Sequence, residues 1–417
     1  MHLIPAHQGR PSDDPIFSLH REATQRSARG EAIVNATIGA LLDDDGKLAI
    51  MPSTARAVHE VPAVDWASYA PIAGTPEFLR AVVDDLLSGE PALRECAVSI
   101  ATPGGSGALR LAINNFLEPG QAILTTSWYW APYHTLSEES ERRLETFDMF
   151  GPSGEFDVAS LDAAVGRQLA AQGRALVILN DPAHNPTGFS LSDDEWRAVV
   201  DCLAARAGEN EGKGDGKGEL TLLVDCAYFL YGARDPRAFL RHLRPLVQAE
   251  PRVNVLFAWS ASKSFTHYGL RVGALVACVG DEAERAAIAS ALSYSSRGTW
   301  SNCNRGGLAA ITRLLTDPEM ARACARERDA LKALLGARVA AFNRHAHERN
   351  LRYPRYEGGF FVTVFDDRPR EKAEAMRAKG VYVVPQLRKG GGGALRVALC
   401  SVAERDVARL VDALVTS

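Results

Sequence analysis

The sequence predicts an α/β protein: a mostly parallel sheet covered by helices, followed by a separate α+β unit. Short β-rich runs recur through the middle of the chain, at Ala122–Thr125, Ala175–Leu179, Leu222–Asp225 and Val253–Trp259. Longer helix-compatible segments, such as Gly107–Leu117 and Leu191–Ala205, alternate with them. Such alternation needs crossover connections, and those make strands parallel. The pattern then changes. Phe360–Phe365, Val381–Pro385 and Leu395–Cys400 are strand candidates close together, and an amphipathic helix starts at Val402. The helical stretch from Arg305 to Arg344 is expected to connect the two regions.

Bulk properties narrow the class. At 417 residues the chain is too long for one average domain. A net charge of −4 carries no polyanion-binding signature, so nucleic acid is not an expected partner. No uninterrupted apolar run is long enough to span a bilayer. Met1–Arg21 mixes His, Pro, Asp and Arg without an apolar core, so no secretory signal is read there and a cytoplasmic location is expected. The seven cysteines are scattered without a CxxC pair. They read as reduced structural thiols, and no metal site is expected. Ala207–Gly218, polar and glycine-rich, reads as a solvated loop without a catalytic role. Gly390–Gly393 reads as a turn between strands.

The chemistry-bearing residues fall at the expected strand ends. Lys263 follows the run Val253–Trp259, with Ser260 and Ser262 before it and Arg271 eight positions after it. A lysine after a strand is ordinarily a surface charge. A Schiff-base lysine must be neutral to react, and burial or cationic neighbours lower its pKa. Ser260 and Arg271 suit a phosphate placed beside that amine. Asp225 ends another buried run, and Tyr228 lies three residues on. The carboxylate either caps a helix or pairs with a buried cation, such as a protonated pyridine nitrogen. Asn185-Pro186-Thr187-Gly188 is a good generic turn, but it follows a strand where open α/β sheets bind ligands. His184 beside it reads as a packing histidine. Pro103-Gly104-Gly105-Ser106-Gly107 runs into an apolar helix and presents backbone N–H groups suited to a phosphate. Trp128-Tyr129-Trp130 offers an aromatic face.

Glycine loop, Asn-Pro-x-Gly, Asp-x-Ala-Tyr and Ser-x-Ser-Lys with a following Arg occur here in one order. Together they resemble the fold-type-I pyridoxal-phosphate enzymes, specifically the aspartate/aromatic (class I) aminotransferases, over nearly the whole chain. Asp14-Pro15-Ile16 and Asn35–Ala40 look like that family's N-terminal arm and substrate-cap loop. The resemblance implies a seven-stranded, mostly parallel sheet between helices, plus a smaller α+β domain built from the two chain ends. The expected divisions are 1–50 for the arm and part of the small domain, 51–320 for the large cofactor domain, and 321–417 for the rest of the small domain. It further implies that Lys263 holds pyridoxal 5′-phosphate as a Schiff base and shuttles the proton. Asp225 would keep the pyridine nitrogen protonated, Tyr228 and Asn185 would bond the ring oxygen, and Trp128 would stack on the ring. Gly105, Ser106, Ser260 and Arg271 would hold the phosphate, with Tyr69 supplied by a second subunit of a homodimer. Arg396 would clamp the substrate α-carboxylate with Phe360 packed near it. Arg297 would take a distal carboxylate, and Ile38 and Gly39 would border the substrate. Amino acid and 2-oxo acid are the implied substrates.

The sequence departs from that family in places. Its commonest members carry an asparagine and a histidine shortly after the stacking tryptophan; Trp130 and Ala131 stand there instead. The histidine that would support Asp225 is therefore displaced, and His134 is the nearest substitute. Trp130 and Trp300 add aromatic bulk, which weakens an aspartate-only reading. A decarboxylase, lyase or synthase on the same fold is the alternative. A degenerate regulatory module would need a DNA-binding region or a lost lysine, and the chain shows neither.

Overall fold

The computed structural model describes residues 2–11, 15–208, 218–248, 253–388 and 392–417. Asp14, positions 209–217 of the glycine-rich segment, and Gly390 and Gly391 lie outside the described residues. The chain divides into two compact units, one of Ala49–Leu334 with Arg355–Gly359, the other of Met1–Leu48, Leu335–Pro354 and Phe360–Ser417.

The larger unit holds a seven-stranded sheet. Its strands are β1 (Ala97–Thr102), β2 (Ala122–Thr126), β3 (Arg143–Phe147), β4 (Arg174–Asn180), β5 (Glu219–Asp225), β6 (Asn254–Ser260) and β7 (Gly273–Cys278). The spatial order is β1-β7-β6-β5-β4-β2-β3. Pairing is parallel except where β7 runs antiparallel to both β1 and β6. Leu222, Leu223 and Val224 of β5, like Val255, Leu256 and Phe257 of β6, are fully buried. Strands with both faces covered need continuous apolar runs, which is why these segments do not alternate. The helix Gly104–Phe116 covers one face, placing Leu109, Ala112 and Ile113 in a core with Ile178, Leu223 and Leu275.

Strands β4 and β6 each extend one residue past the apolar run that announced them, to Asn180 and Ser260. Backbone pairing does not depend on side-chain polarity, so Asn180 stays opposite Asp225 and Ser260 opposite Gly273. The expected helix from Arg305 to Arg344 is two helices, Arg305–Thr316 and Pro318–Glu348. Pro318 cannot continue the first helix and suits the first turn of the second. Asp317 Oδ1 accepts from the amides of Glu319 and Met320, which caps that second start.

In the smaller unit the strand Gly393–Ala398 lies between Val384–Leu387 and Phe361–Asp366, all antiparallel. The N-terminal segment joins through Val34–Asn35, which pairs in parallel with Val381–Tyr382. Arg338, fully buried, donates to the carbonyls of Leu42 and Cys400 and to Asp44. The last helix is Val407–Thr416, preceded by two short 3-10 turns where a continuous helix from Val402 was expected. Among the described residues no helix is long and apolar enough to cross a membrane.

Candidate active site

In an open sheet the carboxyl ends of parallel strands leave a crevice, and a cavity lies there. Lys263, Asp225, Tyr228 and Asn185 line it together with the start of the helix at Gly105 and Ser106. The sheet order sorts the chemistry. Anion-binding groups come from the β1, β7 and β6 side, the carboxylate from β5, and the amides from β4 and the loop after it.

At the first end, Thr102 of β1 sits opposite Gly273 of β7, and Ser260 of β6 sits opposite it on the other side. Arg271, with φ +55°, turns just before β7. Its Nη1 donates to Ser262 Oγ at 3.1 Å and to the Tyr268 carbonyl at 3.0 Å. Gly104 has φ +73°, and a Cβ there would stand 2.5 Å from Arg271 Nη2. Only glycine meets both demands. The guanidinium thus sits against the N-terminus of Gly104–Phe116, where backbone amides and the helix dipole already favour an anion.

Lys263 belongs to the short helix Ala261–Ser264, which Ser260 caps by accepting from the Ser262 amide at 3.3 Å. Its Nζ lies 5.0 Å from the centre of the Tyr228 ring. The Tyr228 hydroxyl accepts from Asn185 Nδ2 at 3.5 Å.

Asp225 is 5% exposed. Burial raises its pKa, while a hydrogen bond from Tyr133, the Ala227 amide and the charge of Lys263 pull it down. The Tyr133 hydroxyl donates to Oδ2 at 2.6 Å and the Ala227 amide to Oδ1 at 3.1 Å. Asn180 Nδ2 donates to the Asp225 carbonyl at 2.8 Å, and its Oδ1 accepts from the Asn185 amide at 2.7 Å. Helix capping does not account for Asp225. The next helical element, the 3-10 turn Phe229–Tyr231, begins after Tyr228 and has no side-chain cap.

Several expectations change. His134 does not support Asp225: it is exposed and pairs with Glu138 at 3.3 Å. Tyr133, one position earlier, faces inward and takes that place. Trp130 lines the cavity, whereas Trp128 is buried and absent from its lining. In the smaller unit, the ring under the Arg396 guanidinium is that of Phe361, 4.8 Å away, next to the expected Phe360. Arg396 also donates to the Thr37 carbonyl. A Cβ on Gly39 would stand 2.5 Å from Phe361 Cζ, and Ile38 lies beside it, partly exposed. Tyr69 is 87% exposed and outside this cavity. Arg297 is exposed near the end of the helix Glu282–Thr299 and donates to Ser301. His184 is buried, its Nδ1 lies 2.8 Å from Thr187 Oγ1, and burial pushes its pKa down to about 3. Two supporting residues, Asn180 and Tyr133, escaped the sequence reading, and Ser262 was read only as a hydroxyl beside the lysine. Asn180 and Ser262 were within reach, as polar residues closing apolar strands or flanking the lysine. Tyr133 carried no signal, since a lone tyrosine in a helix is ordinary core.

An arginine at a helix start, a lysine and a buried carboxylate thus lie together at the strand ends of one mostly parallel α/β sheet. Residues 31–414 match the family model "Aminotransferase class I and II". The aromatic-amino-acid aminotransferase of Pseudomonas aeruginosa is 29% identical, over 75% of this chain and 74% of that one. That organism's aspartate aminotransferase is 25% identical, over 89% and 90% respectively. A solved aminotransferase from Anaerococcus prevotii superposes with a TM-score of 0.91 at 31% identity, covering 100% of this chain and 98% of that one. The chain belongs to the aminotransferase class I and II family, and its reaction class is transamination.

Proposed function

We propose that this aminotransferase uses pyridoxal 5′-phosphate to move the amino group between an L-amino acid, aspartate or an aromatic one, and a 2-oxo acid such as 2-oxoglutarate. The arrangement of Lys263 between the Arg271 anion site and the buried Asp225 carboxylate carries this reading. The residues present fit the cofactor at both ends. The Gly104 contact shapes a cationic cradle around a helix start, and the buried Asp225 lacks a full counter-charge, which a ring N–H⁺ would supply. The bound cofactor supplies an aldehyde carbon that links covalently to an amine and a ring that accepts electrons from the substrate Cα.

The chain's own residues do the rest. Gly105, Ser106, Ser260, Ser262 and Arg271 line the cavity and would hold the phosphate. Asp225 stabilises a protonated ring nitrogen, and Tyr228 and Asn185 donate to the ring oxygen. Lys263 would anchor the cofactor, and its amine is the base within the cavity that would take a proton from the substrate Cα. By family resemblance, Arg396 binds the α-carboxylate and Arg297, with Tyr69, comes from a second copy of the chain in a homodimer. The aromatic relative and the Trp130 wall support an aromatic donor.

Borohydride treatment of the holoenzyme should fix the cofactor to Lys263, as read by peptide mapping. Lys263→Ala should lose turnover by ~10⁴-fold or more, because tether and base go together. Normal turnover by that variant would sink the assignment. Release of carbon dioxide in place of a 2-oxo acid would move the enzyme to the decarboxylase reading.

A further inference from the structure

The family's usual histidine is missing beside Asp225, yet each carboxylate oxygen has a donor. Tyr133 O–H meets Oδ2 at 2.6 Å, and both side chains are buried. Tyr133 is held at its ring and at its backbone. Its ring meets the Trp130 ring edge-on at 5.7 Å and 90°. The Tyr133 amide donates to the Trp130 carbonyl at 2.9 Å, and the Tyr133 carbonyl accepts from Ser137 Oγ at 2.9 Å. A donor fixed this way delivers its proton to one place.

We propose that Tyr133 is a positioning residue for the transamination: its hydroxyl keeps Asp225 an ionised, fixed carboxylate for the cofactor's ring nitrogen, the task a histidine performs in the commonest family members. The inference rests on the functional reading above. Burial works against the charged carboxylate, and a hydrogen bond to the charged form works for it. Without the phenol, Asp225 keeps only the Ala227 amide and the field of Lys263. Its proton affinity then rises, and a protonated Asp225 would donate to the ring nitrogen instead of stabilising N–H⁺. The phenol is suited to the task because burial and the neighbouring carboxylate raise its pKa well above the usual value, so the proton stays on oxygen. The other titratable groups around the pair are the Lys263 amine, the Tyr228 phenol and the Cys226 thiol. Unlike a histidine, Tyr133 has no second proton to take up near neutrality, so it gives Asp225 a donor of constant charge.

The test uses Tyr133→Phe, which keeps the ring and its contact with Trp130. Cofactor affinity and the protonation of a ¹⁵N-labelled ring nitrogen are measured on wild type and variant. Tyr133→Phe should weaken pyridoxal 5′-phosphate by on the order of ten- to a hundredfold, the range for a hydrogen bond to a charged group, and should drive the ring nitrogen toward neutral. With the 1-deaza analogue, which lacks that nitrogen, wild type and variant should bind alike. In an Asp225→Ala background the added Tyr133→Phe should change nothing. An unaltered ring nitrogen, or equal losses for both cofactors, would overturn the inference while leaving the assignment of the enzyme intact. Failure of the wild type to take up the cofactor would overturn that assignment and this inference with it.

Discussion

At the residue scale, buried titratable groups near the site differ in what they do. Asp225 lines the cavity; His184 does not. Held neutral with a pKa near 3, against 6.5 for the free side chain, His184 links folding to pH. The sign follows from the protons. Between pH 6.5 and 3 the unfolded chain protonates this imidazole and the folded chain does not, so the unfolded state gains as pH falls. The stability supplied by keeping it neutral is fully present above pH 6.5. It is lost progressively on acidification, up to roughly 4–5 kcal/mol at pH 3. Denaturant midpoints measured across that window should fall for the native protein. His184→Gln should start lower, since the contact with Thr187 is disturbed, and then fall less steeply; an identical slope would remove His184 from the account. Asp225 closes a buried strand and His184 follows one, and residue type alone does not separate them. Tyr133 makes the same point. It and His134 are adjacent, and helix phase alone decides that the tyrosine points inward and the histidine meets Glu138.

At the scale of elements, the anion end of the site is a contact between two glycines. A Cβ on Gly273 would stand 2.5 Å from the Gly104 carbonyl carbon, so the start of β7 and the start of the helix Gly104–Phe116 touch backbone to backbone. That closeness sets the Arg271 guanidinium on the helix N-terminus. Gly104→Ala should therefore do two things. It should cost stability through the positive φ, by roughly 1–2 kcal/mol, and it should displace Arg271 and weaken pyridoxal 5′-phosphate far more than unphosphorylated pyridoxal. Gly120→Ala is the control. Gly120 also has positive φ, +82°, but a Cβ there meets nothing within 4 Å. It should lower the melting temperature and leave both affinities unchanged. Should the two variants bind the phosphorylated cofactor equally well, the glycine contact does not shape the cradle.

At the scale of the whole molecule, the shared substrate site proposed above predicts that activity depends on assembly. Arg297 is exposed, as is Tyr69, while Arg396 is buried. If Arg297 binds a distal carboxylate from across a two-fold axis, the dimer is the smallest active unit. Arg297→Ala should then cost aspartate or glutamate several kcal/mol in kcat/KM, on the order of a charge pair losing one partner, and cost phenylalanine much less. Equal losses, or a fully active monomer by sedimentation, would refute the shared site. The layered sheet, the helices and the strand-end residues Lys263, Asp225 and Asn185 were legible from sequence. Apolar runs long enough to be buried on both faces must become covered strands, and a polar residue closing such a run must find a partner. The sequence by itself thus determined the α/β class and the places of the lysine, the carboxylate and the glycines at the helix start. Only the tertiary structure decided that Tyr133 and not His134 serves Asp225, that Trp130 and not Trp128 lines the cavity, and that β7 enters antiparallel to bring Arg271 to the helix start. Those outcomes depend on helix phase and on which strands become neighbours, and residues distant in sequence set both.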